Sequence, residues 1–164
     1  MRNPYICHME FSDQSRVWIY QSNRAFTASE AAKIEKDLNA FAAQWEAHGA
    51  QLNAKGELRY NRFVILIVDE VQATASGCSI DRSVGFIRSL EEEYGVNMFD
   101  RFNMAYKKHN EVYSCSREEF ESLLQANEID SNTIVFNNLV LTKGELDANW
   151  EVPLKDSWHA RVFA

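Results

Sequence analysis

Phe63-Val64-Ile65-Leu66-Ile67-Val68-Asp69-Glu70 is the stretch on which the fold turns. Its apolar run is rich in β-branched residues and does not alternate with polar ones, so it reads as a strand covered on both faces and central in its sheet. The strand is placed from Glu57 to Val68. Ala54-Lys55-Gly56 ahead of it is expected to be a tight turn from a short strand near Gln51 to Asn53. A turn that short forces an antiparallel pair, because parallel neighbours need a long crossover.

On the N-terminal side, Val17-Trp18-Ile19-Tyr20 reads as a first strand, followed by the polar run Gln21-Ser22-Asn23-Arg24. Thr27-Ala28-Ser29-Glu30 has the form of a capping box. Ile34, Leu38, Phe41 and Trp45 then fall on one helical face, and Gly49 is expected to stop the helix, with His48 in its last turn. On the C-terminal side, a second helix is expected from Ser79, as its N-cap, to Tyr94, with Ile80, Val84, Ile87 and Leu90 inward and Gly95 as its stop. A strand is expected within Asn97 to Tyr106. Ser116-Arg117-Glu118-Glu119 opens a short helix, Thr133 to Phe136 and Leu139 to Leu141 are further strands, and the tail is aromatic at Trp150, Trp158 and Phe163. The order β-α-β-β-α-β with an α-β extension predicts an α+β fold with a ferredoxin-like core, all in a single domain over residues 1–164. The rival is a doubly wound α/β sheet.

Composition narrows the classes of function. The 164 residues carry 17 basic and 24 acidic side chains, a net charge of −7, with 46% hydrophobic residues. Disorder is excluded, and the acidic balance argues against nucleic acid or an anionic membrane as partner. No apolar run approaches the roughly 20 residues that a membrane helix needs, so no membrane insertion is expected. Met1 to Glu10 lacks the apolar stretch of a secretory signal, which predicts a cytoplasmic location. Cys7, Cys78 and Cys115 form no C-x-x-C and read as reduced thiols. His8, His48, His109 and His159 are scattered, and neither a metal nor another cofactor is signalled.

An apolar strand ending in Asp69-Glu70 has the form of a Walker B motif. Its partner in a nucleotide hydrolase is a phosphate loop, G-x-x-x-x-G-K-[ST]. The glycines stand at 49, 56, 77, 85, 95 and 144, with no pair at that spacing and no Gly-Lys, so the ordinary P-loop mechanism is not expected. Tyr60-Asn61-Arg62-Phe63 leading to Val68-Asp69-Glu70, Ala75-Ser76-Gly77-Cys78-Ser79-Ile80-Asp81, Phe99-Asp100-Arg101, Thr133 to Asn138 and Trp150-Glu151-Val152-Pro153 resemble an uncharacterised bacterial family of about this length. Its members often carry the name ABC transporter ATPase. The resemblance runs from Arg16 onward and implies relatedness, with no activity to carry over.

The proposed topology gathers Arg16, His48, Asp69, Glu70 and the segment Ser76, Gly77, Cys78, Ser79 and Asp81 at one end of the sheet. There the start of the second helix would offer free N–H groups to a small anionic ligand, or lower the pKa of a thiol at Cys78. His48 or His159 would serve as base to that thiol. Each residue also has a plain structural reading: Cys78 as a small packing residue, Ser79 and Asp81 as capping choices, Asp69 and Glu70 as the strand's exit into water. The function expected is therefore a soluble, non-enzymatic binding or interaction module, oligomeric through a strand edge or the aromatic tail. The alternatives are a Cys78-dependent hydrolase or transferase and a magnesium-nucleotide protein using Asp69 and Glu70.

Overall fold

The computed structural model describes residues 11–71 and 73–163. Cys7, His8 and the stretch read for a secretory signal lie outside them. The apolar run forms β5 (Phe63–Asp69), whose residues from Phe63 to Val68 are all buried. It is the central strand of a three-stranded sheet, between β1 (Arg16–Gln21) and β4 (Asn53–Arg59), and both pairings are antiparallel. Strand alternation sends its side chains to opposite faces. Val64, Leu66 and Val68 enter a core with α1 (Ala28–Gln44) and α2 (Gly77–Tyr94), while Phe63, Ile65 and Ile67 enter another with Phe136, Leu146 and Trp150. Both faces are covered, as the unbroken apolar run predicts.

The expected turn at Ala54-Lys55-Gly56 is instead the middle of β4, and the chain reverses at Tyr60-Asn61-Arg62, where Tyr60 and Asn61 have φ of 54° and 49°. Gly56 serves close approach. A Cβ there would lie 2.9 Å from Leu38 Cδ2, so its absence lets α1 settle on the strand. The start of α1 is as read: the Glu30 N–H donates to Thr27 Oγ1 at 3.2 Å and the Thr27 N–H to Glu30 Oε1 at 2.9 Å. Its end differs. Trp45 caps it, and His48-Gly49, with φ of 52° and 79°, turns a small hairpin between β2 (Glu46–Ala47) and β3 (Ala50–Gln51). His48 is thus an exposed turn residue rather than part of a helix. Ser76, not Ser79, is the N-cap of α2, and the two serines close a capping box together; Gly95 ends the helix in the left-handed region. The inward face of α2 is Ser79, Ser83, Ile87 and Leu90, one position off the expected Ile80 and Val84.

Residues 97–103 are loop, and the strand expected there begins later, as β6 (Met104–Lys108). It joins β7 (Glu111–Cys115), β8 (Ile134–Phe136) and β9 (Glu151–Pro153) in a separate antiparallel sheet of order β7-β6-β8-β9. Leu139 to Leu141 form no strand, and a helix not foreseen, α4 (Lys143–Asn149), follows them. One face of the second sheet, with Ala105 and Phe136, packs on β5. The other, with Met104 and Val135, packs on α3 (Arg117–Gln125) and α5 (His159–Phe163) through Phe120 and Phe163. The result is a layered α+β architecture, helices–sheet–sheet–helices, and the all-antiparallel pairing rules out a doubly wound sheet. The order β1-β5-β4 is that of the first three strands of a ferredoxin-like sheet, but the strand after α2 does not take the fourth place beside β1. Arg62 ties the layers, its buried guanidinium donating from Nη1 to Ser114 Oγ of β7. On β4, Lys55 and Arg59 flank Glu57 at 3.3 and 2.8 Å, a short ladder of charge along a strand that pairs, among the described residues, with β5 alone. No helix among the described residues is long and apolar enough to cross a membrane.

Candidate functional site

The structure does bring most of the sequence-predicted residues to one end of the first sheet. Arg16 Nε lies 3.7 Å from Glu70 Oε1, with its guanidinium over the Trp18 ring at 4.7 Å. Glu70 Oε2 accepts from the Ala75 N–H at 2.8 Å and Asp69 Oδ1 from the Val71 N–H at 3.1 Å, so both carboxylates hold the β5–α2 loop in shape. Ser76 and Ser79 satisfy each other's N–H groups, and the Ser79 carbonyl accepts from Trp45 Nε1 at 2.8 Å. Gly77, Cys78 and Asp81 are exposed on the first turn of α2. His48, exposed on its hairpin, makes no hydrogen bond to Cys78. None of the clefts described below takes a wall from these residues. Among the described residues, no group of three or more His, Cys, Asp or Glu could hold a metal ion.

His159, the other base considered for Cys78, is buried in α5 and stacked on Trp158 with ring centroids 3.9 Å apart; its Nδ1 pairs with Ser157 Oγ at 2.8 Å. Burial pushes its pKa down to about 4, so the imidazole is neutral at physiological pH. Cys115 is no better suited to nucleophilic work. Burial, with Glu119 nearby, pushes its thiol up to about 11.

The cleft that the sequence did not reveal lies on the outer edge of β1. It has a volume of about 600 Å³. Ile19, Tyr20 and Gln21 form one wall, the loop Met98 to Asn103 another, and Leu139 with Trp158, His159, Val162 and Phe163 a third. Arg101 and Arg117 are its two cations, against Asp100. Gln21 fixes its geometry: buried, it donates from Nε2 to the Asn103 carbonyl at 2.8 Å and accepts from Asn138 Nδ2 at 2.8 Å, while Asn138 Oδ1 accepts from Trp150 Nε1 at 2.9 Å. Asn97 Oδ1 accepts from the N–H groups of Phe99 and Asp100, and Asp100 Oδ1 from that of Phe102, so the loop is shaped by its own side chains. A second, more polar cleft of about 670 Å³, walled by Ser114 to Glu119, meets the first at Asp100, Phe102, Asn103 and Arg117.

Three large apolar side chains stand in water around this one cleft: Phe102 at 61%, Leu139 at 63% and Val162 at 42% exposure. Single exposed apolar residues are ordinary, whereas several converging on a concavity mark a surface that binds. The available signal in the sequence was Asn97-Met98-Phe99-Asp100-Arg101-Phe102-Asn103, where turn-forming Asn and Asp are interleaved with aromatic residues that a strand would have buried. No family model, curated protein or solved structure matches the chain.

Proposed function

We propose that the protein is a binding module whose ligand, a small or slender molecule with apolar groups, sits in the cleft on the outer edge of β1. The observation that carries this reading is the convergence of exposed Phe102, Leu139 and Val162 on a cleft of about 600 Å³ held open by the Gln21–Asn103–Asn138 bonds. The size is that of an ordinary small-molecule site, mostly apolar with a few placed polar groups. The start of α2 is a weaker seat for an anion, because Ser76 caps it and the Glu70 carboxylate lies against the loop that precedes it. On this reading Cys78 and Asp69 are structural. The ferredoxin-like interpretation belongs to the same proposal: β1-α1-β4-β5-α2 supplies three strands of that core, and the place beside β1 that a fourth strand would fill is the ligand's.

Titration with 8-anilinonaphthalene-1-sulfonate, followed by its fluorescence, tests the location. Saturable binding to the folded protein is expected, weakened about tenfold or more by Phe102→Asp and unchanged by Cys78→Ala or Asp69→Asn. No saturable binding, or binding lost with Cys78→Ala or Asp69→Asn while Phe102→Asp retains it, would overturn the proposal.

A further inference from the structure

The edge of β1 that faces the cleft is itself a hydrogen-bonding surface, and the register of the sheet shows which residues present it. In an antiparallel strand, successive residues direct their N–H and C=O groups to alternate sides. Ser22 donates its N–H toward the β5 side, to the Arg62 carbonyl at 2.9 Å. Val17 and Asn23 donate to the other side, to the carbonyls of Leu141 at 3.0 Å and Asn97 at 3.1 Å. Odd-numbered residues of this strand therefore point outward, and Ile19 and Gln21, between Val17 and Asn23, do so as well.

At both ends of that interval the chain already pairs with the edge. Between them it leaves. The segment that pairs at Val17, and that bridges Arg16 to Thr142 in antiparallel sense, would bring Leu139 opposite Ile19. Instead it curls into a local turn, with the Leu139 N–H donating to Asn137 Oδ1 at 3.2 Å and the Val140 N–H to the Asn137 carbonyl at 3.4 Å. The backbone of Ile19 is left facing the cleft with no partner among the described residues, and a backbone N–H in a partly buried setting is rarely left unmet.

The walls beside this edge suit the alternating side chains of an extended chain. Tyr20 stacks edge-on with Phe99 at 5.5 Å on the helix side of the sheet, and Phe136 lies on the side of the second sheet. Charge favours one end of such a chain. In a molecule of net charge −7, the cleft has Arg101 and Arg117 against Asp100, and Arg101 makes no ion pair with a described residue.

Resting on the function proposed above, we propose that the ligand of this cleft is a short, extended, apolar peptide ending in a free carboxylate. It pairs with the N–H and C=O of Ile19 as an added strand and sets its carboxylate near Arg101. Main-chain bonds would hold it and the apolar walls select its side chains, the division of labour of strand addition.

The test uses the full chain and the probe acetyl-Val-Leu-Val with a free C-terminus, followed through Trp158 fluorescence and amide hydrogen exchange. Three probes are compared with it: the same peptide N-methylated at its central residue, the C-terminal amide, and decanoate. Saturable binding of the parent peptide is expected, with exchange of the Ile19 N–H slowed about tenfold at saturation and each modified peptide binding about tenfold more weakly. Ile19→Pro, which removes an outward N–H that no described strand uses, is expected to weaken the parent peptide about tenfold more than it weakens decanoate, which meets the Ile19 side chain but pairs with no N–H. The inference is overturned if the N-methylated peptide binds as well as the parent, or if Ile19 exchange is unmoved at saturation. If decanoate binds and no peptide does, the cleft is a ligand site of another kind and only this inference fails. If none of the probes binds, and 8-anilinonaphthalene-1-sulfonate does not either, both readings fail.

Discussion

At the scale of single residues, Gly56 and His159 show how far chemistry can be read ahead of geometry. A glycine next to Lys within a polar stretch suggests a turn, yet Gly56 lies in a strand because Leu38 needs its space. What decides between a turn and a close approach is the partner, and Leu38 is 18 positions away on another element, so the local sequence holds no trace of it. Gly56→Ala is expected to destabilise by about 1–3 kcal/mol in urea unfolding, and by less in a Leu38→Ala background that makes room for the methyl group. For His159, burial holds the folded pKa at about 4 against an ordinary 6.5. The unfolded chain therefore takes the proton first as pH falls, so the stabilising contribution is complete above about pH 6.5 and is lost progressively down to about pH 4. Urea midpoints measured between those values are expected to fall with pH in the parent protein, and a His159→Gln variant should flatten that slope by an amount on the order of 1–3 kcal/mol. Glu30 touches only the bottom of this window: its carboxyl, bonded to Arg24 and to the Thr27 backbone, is held down to about 2, and what it contributes is lost as pH falls below the ordinary 4.5.

Among the elements, those whose cause is local were legible and those whose cause is distant were not. The capping box of α1, the Gly95 stop of α2 and the buried run of β5 each depend on residues within a few positions of one another. The hairpins were harder, because histidine and tyrosine are poor advertisements for positive φ. His48-Gly49 and His109-Asn110 both turn two-residue hairpins, with φ of 52° and 79° and of 54° and 65°. That geometry favours Asn-Gly, and both histidines are placed by the turn rather than by any ligand. Replacing His109-Asn110 by Asn-Gly is expected to stabilise the protein by about 0.5 kcal/mol, seen as a higher midpoint of thermal unfolding. The candidate site failed to show in the sequence for a related reason. Its walls come from β1, the 97–103 loop, the Asn137–Leu139 turn and α5, and its key bonds join Gln21 to residues 82 and 117 positions away.

Across the whole molecule, β5 belongs to two cores at once, packing Leu66 toward Trp45 and Ile65 toward Trp150. A strand shared in this way couples the layers, since neither core can open without uncovering one of its faces. Unfolding is expected to be a single transition in which signals from tryptophan variants retaining only Trp45 or only Trp150 coincide with far-ultraviolet circular dichroism; two separated midpoints would show that the layers melt independently. The sharing also bears on β4, the outermost strand of the first sheet. β5 is walled in, so on this side of the sheet a growing aggregate would have to add along β4, and there the Lys55–Glu57–Arg59 ladder meets it. A second copy docking its own β4 alongside would have to bring like charges together or take both sets out of water. The short ladder of ion pairs, worth little to the folding of one chain, thereby works as a guard against uncontrolled assembly in a crowded solution of its own kind.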